Sequence, residues 1–470
     1  MQPISALAEG LRSGTCRAQD LFHAAVARHK TFGEVLNAYA VWLEKSACQT
    51  AITADAAFRT GVTSGPLQGI PISLKDSFGV EGVPTHVGSV RRLPATWEAE
   101  GSIVRRLRRQ RGVIVGKTQS TEFALSATGA NPYGPAPRNP WAREHHVGAG
   151  GSSSGAGVGV LEGSARLALA TDTLGSVRIP ASVTGTVGVK TSVGRWPTDG
   201  IVPLSPTLDS VGLIARTVAD AAFGYAAIDG PEDSAQKCWT DMRGVNLAGA
   251  KIGIDDSMWR HCDASISRVA KVALDELVGV GAKLVSVLLP EAAEAFTFVQ
   301  DGVIALAEFD AFLATELRDW RPLLGPGPAA LAERGAGASA RQYLSDRKRH
   351  DRMAATARQR MIEISVIAAP TVTIPPPRLD QPFADAEHRR VHLAMLRNTC
   401  VANCLKLCSV TIPVGLDDQG FPVGLEFIGQ HNADQQVLGL AWAAERVLGI
   451  ATERLGMPPF FMAKGNVERG

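Results

Sequence analysis

The sequence is short of surplus charge, of paired cysteines and of long hydrophobic runs, and each absence narrows the field. Lys and Arg number 48 and Asp and Glu 46, a formal net charge of +2 over 470 residues. Such a balance builds in no attraction to nucleic acid or to a membrane surface. The seven cysteines are an odd count, widely scattered and without short-spaced pairs. That pattern argues against a disulfide framework and for a reducing compartment. No run of about 18 uncharged apolar residues occurs, so no segment is read as spanning a bilayer. The opening MQPISALAEGLRSG has no basic stretch leading into an apolar one, hence no secretory signal, and the expectation is a cytoplasmic protein. No internal repeat is visible. What is present, 45% apolar and 20% charged residues, describes an ordinary globular chain with ample core. Length alone gives a prior of about three domains, although single α/β domains exceed that prior.

Hydrophobic periodicity outlines an α/β alternation. Arg17–His29 (RAQDLFHAAVARH) places Leu21, Phe22, Ala25 and Val26 on one helical face, with Thr15 as its N-cap. GPLQGIPISLKDS contains a short apolar run that reads as a buried strand with Lys75 at its C-terminal end. The most basic run, Arg105–Arg111 (RRLRRQR), reads as the solvated side of a helix rather than a nucleic-acid patch. Ser102 caps that helix, Ile103, Val104 and Leu107 form its buried stripe, and Gly112 ends it. VIVGK follows as a strand and TQSTEFALSA as a further helical segment. LEGSARLALATDT leading into LGSVRIP gives a second alternation. Residues 231–361 turn Ala-, Glu- and Arg-rich with helical periodicity, interrupted by a flexible-looking GPGPAALAERGAGASA, and carry no chemical motif. VIAAPTVTIPPP and FPVGLEFIGQ read as strands and ADQQVLGLAWAAERVLG as a helix. Cys400, Cys404 and Cys408 recur every four residues, which would stack them on one helical face. A straight helix cannot wrap three such thiolates round one ion, so they are read as packing residues.

Residues 148–160, GAGGSSSGAGVGV, raise the sharpest question, because three serines stand among glycines just after His145 and His146. A phosphate loop would need GxxxxGK[ST] or GxGxxG, and both patterns fail here. Gly151–Gly155 does match GxSxG, but a nucleophile elbow needs an apolar strand running into it, and NPWAREHHVGAG is charged and Pro-containing. A flexible linker would shift the composition on either side, yet apolar sequence flanks the stretch. The loop is therefore read as ordered. His145 and His146 are read as loop residues, since a lone pair without further ligands is weak evidence for a metal.

Beyond this point the chain resembles the amidase signature family. The likeness rests on GAGGSSSGAG, on LALATDTLGSVRIPASVTGTVGVKTSVGR and on SPTLDSVGLIARTVADA, extended by GIPISLKDSFGVEGVPTHVGS, GVIVGKTQSTEFA, VIAAPTVTIPPP and FPVGLEFIGQ in the family's order. It covers nearly the whole chain outside 231–361. The resemblance implies one amidase domain over 1–470, with a signature core at about 65–225 and a variable, pocket-shaping helical region at about 231–361. The implied fold is α/β, a large mixed twisted sheet covered by helices on both faces. The implied reaction is hydrolysis of an amide by a serine–serine–lysine triad, one serine following a cis peptide bond. Carried over by motif, these are Lys75 in ISLKD, the cis serine Ser152, and the nucleophile Ser176 in TLGSVRIP, the two serines lying 24 residues apart. By pattern alone Lys117 in VIVGK is an equal candidate for the lysine, and only the resemblance selects Lys75. The segment GRWPTDGIVPLSPTLDSVG resembles the branch acting on arylacetamides such as indoleacetamide and mandelamide.

The chemistry of these residue types agrees with such a role. A serine hydroxyl attacks well only when a base removes its proton. A lysine is that base only when neutral, and desolvation at the end of an apolar strand favours the neutral form. Ser152 would relay the proton, with Gly151 allowing close approach and Ser153 in support. The turn Thr173-Leu174-Gly175-Ser176 would aim N–H groups at the tetrahedral oxyanion, each worth about 3–4 kcal/mol. Asp172 and Arg178 flank that turn and read as an ion pair holding it. Two departures stand out: Leu174 and Ser154 occupy positions where the family usually has glycine. Leu174 must avoid a glycine-only backbone angle or carry strain, and its side chain would narrow the pocket. The implied partner is a small-molecule amide, with no metal, cofactor, nucleic acid or membrane, and a chain acting alone or as a homodimer. Two other readings stand beside it: the glutaminase subunit of a tRNA-dependent amidotransferase, and a catalytically retired scaffold.

Overall fold

The computed structural model describes residues 2–231, 234–381 and 384–464. Within these, eleven strands pair into one sheet: β1 (Tyr39–Trp42), β2 (Pro71–Lys75), β3 (Val113–Thr118), β4 (Leu167–Asp172), β5 (Val187–Lys190), β6 (Ser210–Ala215), β7 (Lys251–Ile254), β8 (Lys283–Ser286), β9 (Val366–Pro370), β10 (Cys408–Leu416) and β11 (Pro422–Gly429). Their order is β1-β3-β2-β4-β6-β5-β10-β11-β9-β7-β8. The sheet is mixed, as expected. β2 runs parallel to both β3 and β4, β7 runs parallel to β8 and β9, and the remaining pairs are antiparallel.

The central strands are buried along their whole length, which is why their sequences lack the alternation of a half-exposed strand. Parallel pairing of β2 with β4, Leu74 opposite Leu169, carries the ends of both strands to one edge of the sheet. Lys75 ends β2 there, and Thr171 and Asp172 end β4. Antiparallel pairing sets Asp172 opposite Ser210 and so brings the loop before β6 to the same edge. The helix Ser154–Glu162 packs on β4, and the helix Arg178–Thr184 on β5 and β11.

Several expectations about local structure need correction. Ala18 and Gln19, at the start of the helix Ala18–Leu36, donate their N–H groups to the Asp55 carboxylate of the helix Glu44–Arg59, and Thr15 takes no part. Ser102 is the first helical residue rather than the cap, and its N–H is received by Asp199 at 2.9 Å. TQSTEFALSA forms only the 3-10 turn Glu122–Ala124, because Phe123 and Ala124 adopt left-handed φ values of 44° and 63° that stop a helix. Residues 231–361 are not helical throughout. They contribute β7 and β8 to the end of the sheet, and GPGPAALAERGAGASA contains the helix Pro326–Ala336. Cys400 and Cys404 stand one turn apart on the helix Thr399–Cys404, but that helix stops and Cys408 opens β10, so the three do not share one helical face, although all three are buried. β10 escapes the sequence because Pro413 and Gly415 interrupt it. The irregularity in its pairing falls between those two residues, beyond Ser409–Thr411 where β5 pairs with it. Among the described residues no helix is long and apolar enough to cross a membrane.

Candidate active site

Three segments meet at the sheet edge where β2 and β4 end. The first is β2 itself, whose last residue, Lys75, is fully buried. Its Nζ donates to Ser152 Oγ at 2.7 Å and to Thr171 Oγ1 at 2.9 Å. Burial, the largest effect, pushes the Lys75 pKa down to about 7, against the raising influence of Asp209 and Asp172. Lys117, the rival lysine, sits one strand away on β3. It pairs with Asp76 at 2.9 Å and donates to Thr85 Oγ1 at 2.7 Å. Its ammonium is thus engaged by a carboxylate that also receives the N–H groups of His86 and Val87.

The glycine-rich loop is the second segment. Its Gly151–Ser152 peptide is cis. Gly151 donates its N–H to the Ala127 carbonyl at 2.8 Å, and the Ser152 carbonyl accepts the N–H of Thr121 at 3.0 Å. A Cβ on Gly151 would stand 2.1 Å from the Ser126 carbonyl oxygen, so only glycine fits this approach. Ser153 donates its Oγ–H to the Thr171 carbonyl at 3.3 Å and its N–H to the Ser176 carbonyl at 3.3 Å, which ties this loop to the next. Ser154 opens the helix Ser154–Glu162, its Oγ 3.4 Å from the Gln119 carbonyl.

The third segment is the turn from Asp172 to Arg178. The Asp172 carboxylate accepts the N–H of Gly175 at 2.8 Å and of Val177 at 3.1 Å, together with Arg178 Nε at 3.0 Å and Nη2 at 2.9 Å. Both side chains of this ion pair are fully buried. Burial alone would raise the Asp172 pKa, but the guanidinium overrides it and holds the group at about 2. Arg178 also meets Glu426 and Asn403. Gly175 differs from expectation: its N–H is taken by Asp172, which leaves the N–H groups of Thr173, Leu174 and Ser176 without a protein acceptor among the described residues. Leu174 carries no glycine-like φ. The positive angle falls on Gly175 at 135°, where a Cβ would lie 2.2 Å from Thr399 Oγ1. The Leu174 side chain is half-buried against the apolar cluster that contains Ala127, Ile179, Val183, Val391 and Met395. Of the three expected triad members only Ser176 is reached by solvent, 7% exposed against none for Lys75 and Ser152.

Other residues complete the site and were not singled out from sequence. Thr171 holds Lys75. Asp209 accepts Thr173 Oγ1 at 2.6 Å and the N–H groups of Leu204 and Ser205, and burial raises its pKa to about 6. From the helix Thr399–Cys404, Thr399 bonds the Leu174 carbonyl at 2.7 Å and Asn403 the Asp172 carbonyl at 3.0 Å. These last two stand one helical turn apart, but more than 200 residues separate them from the turn they support, as in the Thr399–Leu174 separation of 225. No local pattern announces them. Of the two histidines, His145 approaches Asp380 at 3.5 Å at the surface. Among the described residues no group of three or more His, Cys, Asp or Glu side chains is placed to hold a metal ion.

Comparison with known proteins places this fold, with its buried lysine, glycine–serine loop and Asp–Arg-braced turn where β2 and β4 end. The sequence model of the family described as Amidase matches residues 20–438, and the chain belongs to that family of amide-hydrolysing enzymes. It is similar to 2-amino-5-chloromuconic acid deaminase of Comamonas testosteroni, 37% identical over 455 residues that span 95% of this chain and 96% of that one. It is also similar to indoleacetamide hydrolase of Pseudomonas savastanoi, 32% identical over 83% of this chain and 86% of that one. Among solved structures, a crystal structure of an amidase superposes with a TM-score of 0.84 at 27% identity, covering 95% of this chain and all of that one.

Gly175→Ala tests the turn directly. The added methyl is expected to collide with Thr399 and to impose a φ that alanine rarely adopts, at about 1–3 kcal/mol. Urea melts should register that loss, with the amidase rate falling by about 10² or more as the turn's donors lose their aim. A variant of unchanged stability and rate would contradict the geometry.

Proposed function

We propose that Ser176 is the nucleophile of this amidase, with Ser152 and Lys75 as its proton relay. The observation that carries this reading is the 2.7 Å contact between Lys75 Nζ and Ser152 Oγ at a buried position whose lysine pKa is lowered to about 7. Neutral Lys75 draws the proton of Ser152 as Ser152 draws that of Ser176. Ser176 Oγ then bonds the amide carbonyl carbon, and the oxyanion takes N–H donors from Thr173, Leu174 and Ser176. The carbon–nitrogen bond breaks as the relay returns its proton to the leaving nitrogen. Water hydrolyses the resulting ester by the same route in reverse. Ser153, Gly151, Asp172 and Arg178 hold this arrangement in place and touch no reacting atom.

The substrate in this reading is a small-molecule carboxamide, the acyl side bounded by Leu174. Similarity to an indoleacetamide hydrolase supports an arylacetamide; similarity to a 2-amino-5-chloromuconic acid deaminase supports a second reading, loss of ammonia from an amino-substituted diacid, which has no amide carbonyl and to which the acyl-enzyme route above does not apply. Ammonia release by the isolated chain over aliphatic, aryl and dicarboxylic amides and 2-aminomuconate separates them. Turnover by the chain alone also excludes a glutaminase subunit that works only in complex, and a retired scaffold would show none.

A fluorophosphonate should add to the peptide containing Ser176, as read by mass spectrometry; an adduct on Ser152 or Ser153 overturns the assignment. The value of kcat/KM should climb tenfold per pH unit below about 7 and level off above it, because protonated Lys75 accepts no proton. Lys75→Ala should cost at least about 10² in kcat. Lys117→Ala should instead act on stability, by about 3–5 kcal/mol, through the stranded Asp76 charge. A near-normal rate for Lys75→Ala beside a folded but dead Lys117→Ala would show that the wrong lysine had been chosen.

Leu174→Gly keeps the N–H and removes the side chain. If Leu174 borders the acyl pocket, the variant gains kcat/KM for a bulky aryl amide relative to a small aliphatic one. An unchanged ratio with a uniform fall in kcat would mean that Leu174 only packs beneath the turn.

A further inference from the structure

The helix Asp385–Leu396 carries two histidines one turn apart, and both face the loop that backs the catalytic serines. His388 Nε2 stands 3.4 Å from Thr128 Oγ1, while His392 Nδ1 accepts the N–H of Ala127 at 3.1 Å. The contact at His392 continues inward without a gap. Ala127 accepts the N–H of Gly151 at 2.8 Å, Gly151 is joined to Ser152, and Ser152 Oγ meets Lys75 Nζ at 2.7 Å. Around this path Ala127 packs with Ile179, Val183, Val391 and Met395, with Leu174 at the edge of the same cluster. One helix therefore touches the support of both the serine loop and the oxyanion turn.

The chemistry of the first link is specific. A backbone N–H can be donated only to an unprotonated ring nitrogen, so His392 carries its proton on Nε2. Burial above all, with His388 and Arg389 adding to it, lowers the His392 pKa to about 4, so the acceptor persists wherever Lys75 is neutral. The segment it holds needs a fixed point. Residues 119–131 contain one short 3-10 turn and three residues of left-handed φ, Phe123, Ala124 and Gly129, and no strand pairs with them.

We propose that His392 is a positioning residue: its Nδ1 fixes the Ala127 peptide, and through the Ala127 carbonyl it sets the Gly151–Ser152 peptide so that Ser152 Oγ lies between Lys75 and Ser176. The proposal rests on the Ser176–Ser152–Lys75 reading given above. It gives the helix Asp385–Leu396 a part in the proton relay although no atom of it enters the reaction. Small displacements at such a relay are costly, of the order of 10² in rate for about 1 Å.

Two side-chain mimics separate this role from packing and from substrate contact. Asn at 392 offers Oδ1 near the position of Nδ1, Gln reaches instead toward the position of Nε2, and Leu offers neither. At pH 8, His392→Leu and His392→Gln should lose about tenfold to a hundredfold in kcat with KM held within about twofold, and should slow fluorophosphonate labelling of Ser176 to match. His392→Asn should recover most of that loss. Recovery by Gln rather than Asn, an effect on KM alone, or equal rates for all variants overturns the proposal. A measurement without substitution guards against misfolding: nitrogen NMR of the wild-type imidazoles should show His392 Nδ1 unprotonated and Nε2 protonated from pH 6 to 9, and the reverse tautomer contradicts it. Labelling on a serine other than Ser176 would instead sink the triad reading itself, so the two failures are distinguishable.

Discussion

A lysine amine enclosed among hydroxyl groups, with no carboxylate within bonding distance among the described residues, is the constraint on which the rest of the site turns. An ammonium in that position would forgo its hydration for two neutral acceptors, which is why its proton is held so weakly. Lys117 shows the alternative on the neighbouring strand. It is nearly as deeply buried, but Asp76 lies 2.9 Å away, and the pair serves the fold. Two lysines at the ends of two parallel strands thus have opposite characters, decided by whether a carboxylate was placed beside each.

The second constraint is the brace of Asp172 and Arg178. One carboxylate gathers two backbone N–H groups and a two-pronged guanidinium, and the N–H groups of Thr173, Leu174 and Ser176 are left without a protein acceptor among the described residues. A buried ion pair of this kind is weak evidence for stability, because desolvation offsets most of its attraction. Its value here is geometric. It spends the N–H of Gly175 on the turn itself and forces the one left-handed angle onto the one residue that tolerates it. That is also how Leu174 sits next to it without strain.

What the sequence made legible were the pieces whose signal is local. Lys75 at the end of an apolar run, the Gly–Ser loop and the Asp–Arg pair flanking Ser176 could each be read from a dozen residues, and the α/β alternation with its large mixed sheet followed from periodicity and resemblance. What escaped were contacts between distant segments and elements that break a propensity rule. Asp55 and Asp199 cap helices that begin 37 and 97 residues away in sequence, which is why neither Thr15 nor Ser102, the nearest hydroxyl residues, is the cap. β10 was hidden by the proline and glycine in its own middle, and β7 and β8 by the helices around them. Thr399, Asn403 and His392 reach the site from a part of the chain whose pattern says only that it is helical.

The proposed proton relay depends on the charge of one amine. Carbon NMR of the enzyme labelled at lysine Cε, with the Lys75→Met variant to assign the signal, follows that charge directly across pH. Lys75 should titrate near 7 in the unliganded enzyme, in step with the rise of kcat/KM. A Lys75 signal that stays that of an ammonium up to pH 9, in an enzyme fully active at pH 8, would contradict it.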